Sequence, residues 1–178
     1  MPIIVTRLDY NGFVTKTQRL HLNPLVDEAE NTLLSFTLMI EETQYANGTR
    51  GIRQSIDGSF MAIGGWTKTV VGGIDWQKSG DLGAKLGVEV QVSGRSDMLA
   101  VDVMHFKEAI NRGLIDAGLI IVPDDRLSRF LTDRTPNLAT ARRHVEDRAS
   151  DMPIRIVAFG HDGVGPALPK MITNRGKA

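Results

Sequence analysis

Two short segments and the turn between them constrain this chain more than any other feature. Gly73-Ile74-Asp75-Trp76 is followed, across Gly80-Asp81-Leu82-Gly83, by Gly87-Val88-Glu89-Val90-Gln91-Val92-Ser93, which reads as an antiparallel hairpin. Side chains alternate along a strand, so Val88, Val90 and Val92 share one face, and Glu89, Gln91 and Ser93 share the other. Alternation alone describes any half-exposed strand. Asp75 adds a second observation: with the turn at residues 81–83, position 75 falls opposite position 89. Two carboxylates that close repel each other unless a cation lies between them. Asp81 is nearer to Glu89 in sequence, but as a turn residue it lies roughly 20 Å or more away at about 3.3 Å of rise per residue. An all-oxygen donor pair suits magnesium, which keeps several waters and accepts phosphate oxygens as further ligands.

Composition sets the frame around this hairpin. The 178 residues, 42% hydrophobic and 24% charged, suffice for one domain with a proper core over residues 1–178, with about 163–178 expected as a flexible or partner-dependent tail. The chain has no cysteine, which excludes a disulfide scaffold and a thiolate zinc site and fits a reducing compartment. No apolar run approaches the roughly 20 residues needed to cross a bilayer, and the opening Met-Pro-Ile-Ile-Val lacks a basic leader. The expectation is a cytoplasmic protein without a membrane partner. The formal net charge is zero, so a nucleic acid would have to be met by a local basic patch.

Along the chain, Ile3 to Val5 and Phe13 to Thr15 read as short β runs broken by Asn11-Gly12. Asn23 as N-cap, Pro24 in the first turn and the acidic residues after them predict a helix running to about Glu42. Residues 49–59, with Arg50 and Arg53, read as a polar loop. Val70-Val71 and Ile74 mark the first strand of the hairpin, and Ala84 to Val92 the second. Asp97 opens a helix that stops at Gly113. Leu119 to Val122 reads as a buried strand parallel to an earlier one. Residues 125–131 and 138–149 read as helices, and Pro153 to Gly160 as the last strong strand. The sum is an α/β fold, a mixed central sheet flanked by helices. Trp66 and Trp76 read as core, and Arg142, Arg143 and Arg148 as a solvated helix face or phosphate contacts. None of the four histidines has metal-ligand spacing.

The hairpin residues resemble the active-site hairpin of the BglII and BstYI type II restriction endonucleases, a branch of the PD-(D/E)xK nucleases in which glutamine replaces the usual lysine. Leu22-Asn23-Pro24, the Leu119 to Val122 strand and Met152-Pro153-Ile154-Arg155-Ile156-Val157 follow in the same order, so the resemblance spans most of residues 22–162. It implies a restriction-endonuclease-like PD-(D/E)xK core and Mg2+-dependent hydrolysis of double-stranded DNA at a short palindromic site by a homodimer. A companion DNA methyltransferase would belong to the same system. By the same resemblance Asp75 and Glu89 bind the metal, the Val90 carbonyl is a further ligand, and Gln91 helps position the attacking water. Ser93 matches a polar position near the bases, and the stretch Ser93, Gly94, Arg95 and Ser96 is the expected DNA-reading loop, with Arg95 suited to guanine or phosphate or simply solvated. Three departures stand out: the turn before Glu89 is longer, Gly94 replaces a DNA-reading asparagine, and the upstream water-orienting asparagine has no clear counterpart. Two other readings stay open, a nuclease of repair or mobile-element type with relaxed specificity, and a catalytically silent DNA-binding dimer.

Overall fold

A computed structural model describes residues 2–69, 73–92 and 96–170. In chain order the elements are β1 (Ile4–Asp9), α1 (Phe13–Arg19), α2 (Asn23–Asn31), β2 (Met39–Ile40), α3 (Arg50–Ile63), β3 (Thr67–Lys68) and β4 (Trp76–Ser79). They continue with β5 (Lys85–Val90), α4 (Met98–Asn111), β6 (Ala117–Pro123), α5 (Asp125–Ser128), α6 (Leu138–Arg148), β7 (Ile154–Phe159) and β8 (Gly163–Val164). Six strands form one mixed sheet in the order β1-β7-β6-β5-β4-β3. Its centre, β5-β6-β7, is parallel, and the other pairs are antiparallel.

The central strands are apolar on both faces because helices cover both. Leu119 and Ile121 of β6 join Val88 and Val90 of β5 in a core with Ile52, Ile56 and Phe60 of α3 and Leu25 and Val26 of α2. Ile120 and Val122 face the opposite way, into a second core with Leu99, Val103 and Phe106 of α4 and Ala141 and Val145 of α6. The half-exposed reading of the hairpin strand is therefore corrected, since every residue from Leu86 to Val92 is buried. Trp66 and Trp76 lie in the core against Phe60, with ring centroids 5.0 and 5.2 Å away.

Four further expectations change. Phe13 to Thr15 begin α1 instead of a strand, with Phe13 fully buried. The helix expected to reach Glu42 ends at Asn31, and Leu22, not Asn23, stands at its N-cap. Thr32 and Ser35 turn their hydroxyls back onto the carbonyls of Ala29 and Thr32, and Asp162 accepts the Leu38 amide, which lets β2 pair with β8 from the tail. Local back-bonding and a distant partner together outweigh helix propensity there. The expected loop at 49–59 is the amphipathic helix α3, whose Ile52, Ile56 and Phe60 recur every four residues on its buried face. The expected helix at 125–131 is confined to Asp125–Ser128, capped by Asp124. The Val70-Val71 expectation lies outside the described residues.

Close approach of α4 to the sheet is made possible by glycine. A Cβ on Gly118 would stand 2.8 Å from the Phe106 ring, and one on Gly87 would stand 3.2 Å from the same ring. Because Phe106 is fully buried, it has nowhere to retreat. Gly118→Ala is expected to cost about 1–3 kcal/mol of stability from overpacking, read as a lower urea midpoint at unchanged slope; an unchanged midpoint would show that α4 can shift freely.

Candidate active site

The hairpin register decides the site. β4 pairs with β5 as Trp76 with Val88 and Gln77 with Gly87, so one step further Asp75 faces Glu89. The Asp75 amide donates to Glu89 Oε2 at 3.1 Å, and the Val90 amide donates to Asp75 Oδ2 at 2.9 Å. Asp81 lies in the turn, closed by the Gly80 amide on the Ala84 carbonyl. Gln91 continues the line beside β6 through its amide on the Ile121 carbonyl. Its side-chain amide nitrogen donates to Glu89 Oε1 at 2.9 Å and to Asp102 Oδ2 at 2.5 Å.

Asp102 and Arg53 belong to this cluster and were not singled out as site residues from the sequence. Helix α4 carries Asp102 next to the buried Val103 and three residues after the buried Leu99, so its position at the edge of the apolar stripe was the available signal. His105 follows one turn later, with Nδ1 3.8 Å from Asp102 Oδ1. Helix α3, on the other face of the sheet, delivers Arg53. Its guanidinium reaches Asp75 Oδ1 at 2.8 Å and the Val90 carbonyl at 2.6 Å, while Nε donates to Asp57 Oδ2 at 3.0 Å. The four-residue spacing of Ile52, Ile56 and Phe60 could have exposed α3, but Gly51, Gly58 and the polar residues around them mask it. Of the expected DNA-reading residues, Ser93, Gly94 and Arg95 lie outside the described residues. The Ser96 amide is bonded to the Arg134 carbonyl.

The electrostatics are lopsided. Asp75, Glu89 and Asp102 face one another, and Arg53 is shared with Asp57. Burial, reinforced by Asp75 and then Asp102, pushes the Glu89 carboxyl from its ordinary 4.5 up to about 9. Burial also raises Asp102, with His105 opposing it. Burial acts on Asp57 in the same direction, yet donors on Trp76, Arg53 and Lys68 hold it below the usual carboxylate range. A buried carboxyl that keeps its proton against its ordinary tendency is a place where a cation can substitute for that proton. The donors here, carboxylates and a backbone carbonyl, are the hard oxygens that a small divalent ion takes. The residues thus fit such an ion, although among the described residues no set of three acidic or histidine side chains is arranged to close on one.

Elsewhere, two arginines of the basic helix α6 contact residues of the same helix. Arg142 binds Glu146 at 2.8 Å, and Arg148 contacts His144 at 3.0 Å. No helix among the described residues is long and apolar enough to cross a membrane.

A mixed six-stranded sheet enclosed by helices, with acidic side chains gathered at one end of a central strand, is a restriction-endonuclease-like fold. The family model described as restriction endonuclease BglII/BglIII matches residues 18–160, and the chain belongs to that family. Membership makes it an endodeoxyribonuclease of the type II, site-specific kind, in a family that typically uses a divalent metal. No curated protein matches the chain.

The Glu89 shift has a direct consequence for metal-free protein. Between pH about 4.5 and about 9 the folded state holds a proton that the unfolded chain has released. This stabilisation is complete below the lower value and is lost as pH rises through the upper one. In chelator, the melting temperature of the native chain should fall across that window, and Glu89→Gln should flatten the fall. Parallel profiles for the two proteins would contradict the assignment.

Proposed function

We propose that this protein cuts double-stranded DNA at a short palindromic site with Mg2+ as cofactor, using Asp75, Glu89 and Gln91 as catalytic residues. The observation that carries the reading is the convergence of Asp75 and Glu89 across β4 and β5 beside the exit of β5. Asp75, Glu89 and the Val90 carbonyl would hold the ion. Bound there, a divalent cation supplies Lewis-acid polarisation of the phosphate and lowers the pKa of an attacking water.

The protein's own part is positioning. With the ion bound and Glu89 ionised, both neighbours of the Gln91 side chain would be carboxylates, so its NH2 group would face them and its carbonyl oxygen would be left as an acceptor. Gln91 would then orient the water by accepting its hydrogen bond, and Asp102 would fix the amide in that orientation. A neutral amide cannot stabilise phosphate charge as a lysine does, so the cation carries more of that load.

Cutting both strands calls for two sites related by symmetry, hence a homodimer matched to palindromic DNA. Met98, Val101 and Met104 leave an exposed apolar stripe on α4 that supports self-association. In this reading Ser93, Gly94, Arg95 and Ser96, directly after the hairpin, read the DNA, residues 1–178 act as one endonuclease domain in the cytoplasm, and a companion DNA methyltransferase protects the host.

Incubation of the purified protein with unmethylated phage DNA and Mg2+ should yield discrete fragments with common ends. A smear would indicate relaxed specificity, and intact DNA a silent binder. Asp75→Asn and Glu89→Gln should each lower cleavage by at least about a thousandfold while retaining DNA binding in gel shift, since each removes a charge on which the electrostatic stabilisation rests. Full cleavage by either variant would remove that residue from the mechanism. Asp102→Ala should lower kcat with little change in KM, because it frees the Gln91 amide to rotate; an unchanged kcat would show that Gln91 needs no such partner.

A further inference from the structure

Among the described residues, Arg53 is the guanidinium that enters the acidic cluster, and it does so at particular atoms. Its two terminal nitrogens take Asp75 Oδ1 and the Val90 carbonyl oxygen, at 2.8 and 2.6 Å. Those are two of the three groups assigned above to a divalent ion. The side chain is mostly buried, at 18% exposure. Its Nε is held by Asp57 Oδ2 at 3.0 Å, and Asp57 is in turn fixed by Trp76 Nε1 at 2.9 Å and Lys68 Nζ at 3.0 Å.

We propose that Arg53 is a resident cation of the active site, occupying the Asp75 and Val90 oxygens in metal-free protein and competing with the divalent ion for them. The inference rests on the ion-binding role given above to Asp75 and Val90. The physical argument is exclusion. A small divalent ion binds oxygen at about 2.0–2.1 Å, and the guanidinium nitrogens already stand 2.8 and 2.6 Å from the two oxygens it would take. Two positive charges at the same oxygens also repel each other. Arg53 need not leave the site when it yields. Its planar guanidinium has to tilt as one unit, and Asp57, one helical turn along α3 and bonded to Nε, stays within reach to hold it. The arrangement neutralises part of the acidic cluster before the ion arrives, which keeps the buried carboxylates folded at a cost in metal affinity. A merely structural clamp would do the opposite, since removing it would loosen Asp75 and weaken ion binding.

The experiment measures Mn2+ binding to DNA-free full-length protein by calorimetry, for the native chain, Arg53→Gln, Arg53→Lys and Asp75→Asn. Arg53→Gln should bind Mn2+ about tenfold tighter, within the usual range of coupling between two sites. Arg53→Lys should fall between, because one ammonium cannot span both oxygens. Equal or weaker binding by Arg53→Gln, with native binding present and lost in Asp75→Asn, overturns the inference and leaves the proposed function standing. Absence of Asp75-dependent binding in every protein overturns both. A second readout uses the native chain and survives a misfolded glutamine variant: the Arg53 Nε–H NMR signal, assigned by its absence from the Arg53→Lys spectrum. It should move in step with Mg2+ occupancy, and an Arg53 signal that stays fixed while Mg2+ binds overturns the proposal.

Discussion

The structure turns on the cost of burying acid at the end of β5. Glu89 is 5% exposed, faces Asp75 across the hairpin and Asp102 across the helix interface, and keeps its proton to about pH 9. A carboxyl group in that setting is tolerable only when it keeps a proton or has a guanidinium or a metal beside it. Each surrounding element can be understood by which of these it provides or excludes. Helix α3 provides the guanidinium, and the β4–β5 register supplies the opposing carboxylate. Helix α4 adds a third acid that makes the balance worse and at the same time orients Gln91.

That arrangement explains why both faces of the sheet must be covered. The valines of β5 anchor it against α2 and α3, and Gly87, Glu89 and Gln91 lie toward α4. Had α4 been held off by side chains at positions 87 and 118, Asp102 could not have reached the Gln91 amide. The glycines therefore matter to the site as well as to the packing of Phe106. At the outer part of the sheet, Arg155 of β7 joins Asp9 of β1 and Glu30 of α2, and Arg7 binds the same Glu30 at 2.6 Å. These ion pairs tie the edge strand to a helix that a sequence reading extends too far.

The hairpin was legible in the linear sequence because a strand's two-residue period and a short turn fix register over a few residues. Asp75 could be matched to Glu89, and Asp81 rejected, from rise and alternation alone. The parallel strand at 117–123 and the stop at Gly113, which has φ +66°, were legible for the same local reasons. Helix α3 was not, since two glycines and a run of polar residues conceal an apolar stripe only three residues long, Ile52, Ile56 and Phe60. The end of α2 was not either, because the Asp162 carboxylate that receives Leu38 lies 124 residues away.

By itself, the sequence determined the chemical inventory: paired carboxylates with an adjacent amide on one hairpin, in an α/β chain without cysteine, and a likeness to one family that the match over residues 18–160 bears out. Tertiary structure decided which other charges share that space. Arg53 precedes Asp75 by 22 positions and Asp102 follows it by 27, and no periodicity relates them to the hairpin. Their meeting depends on α3 and α4 packing against opposite faces of one sheet, where burial strengthens every charge interaction that local sequence patterns leave undefined.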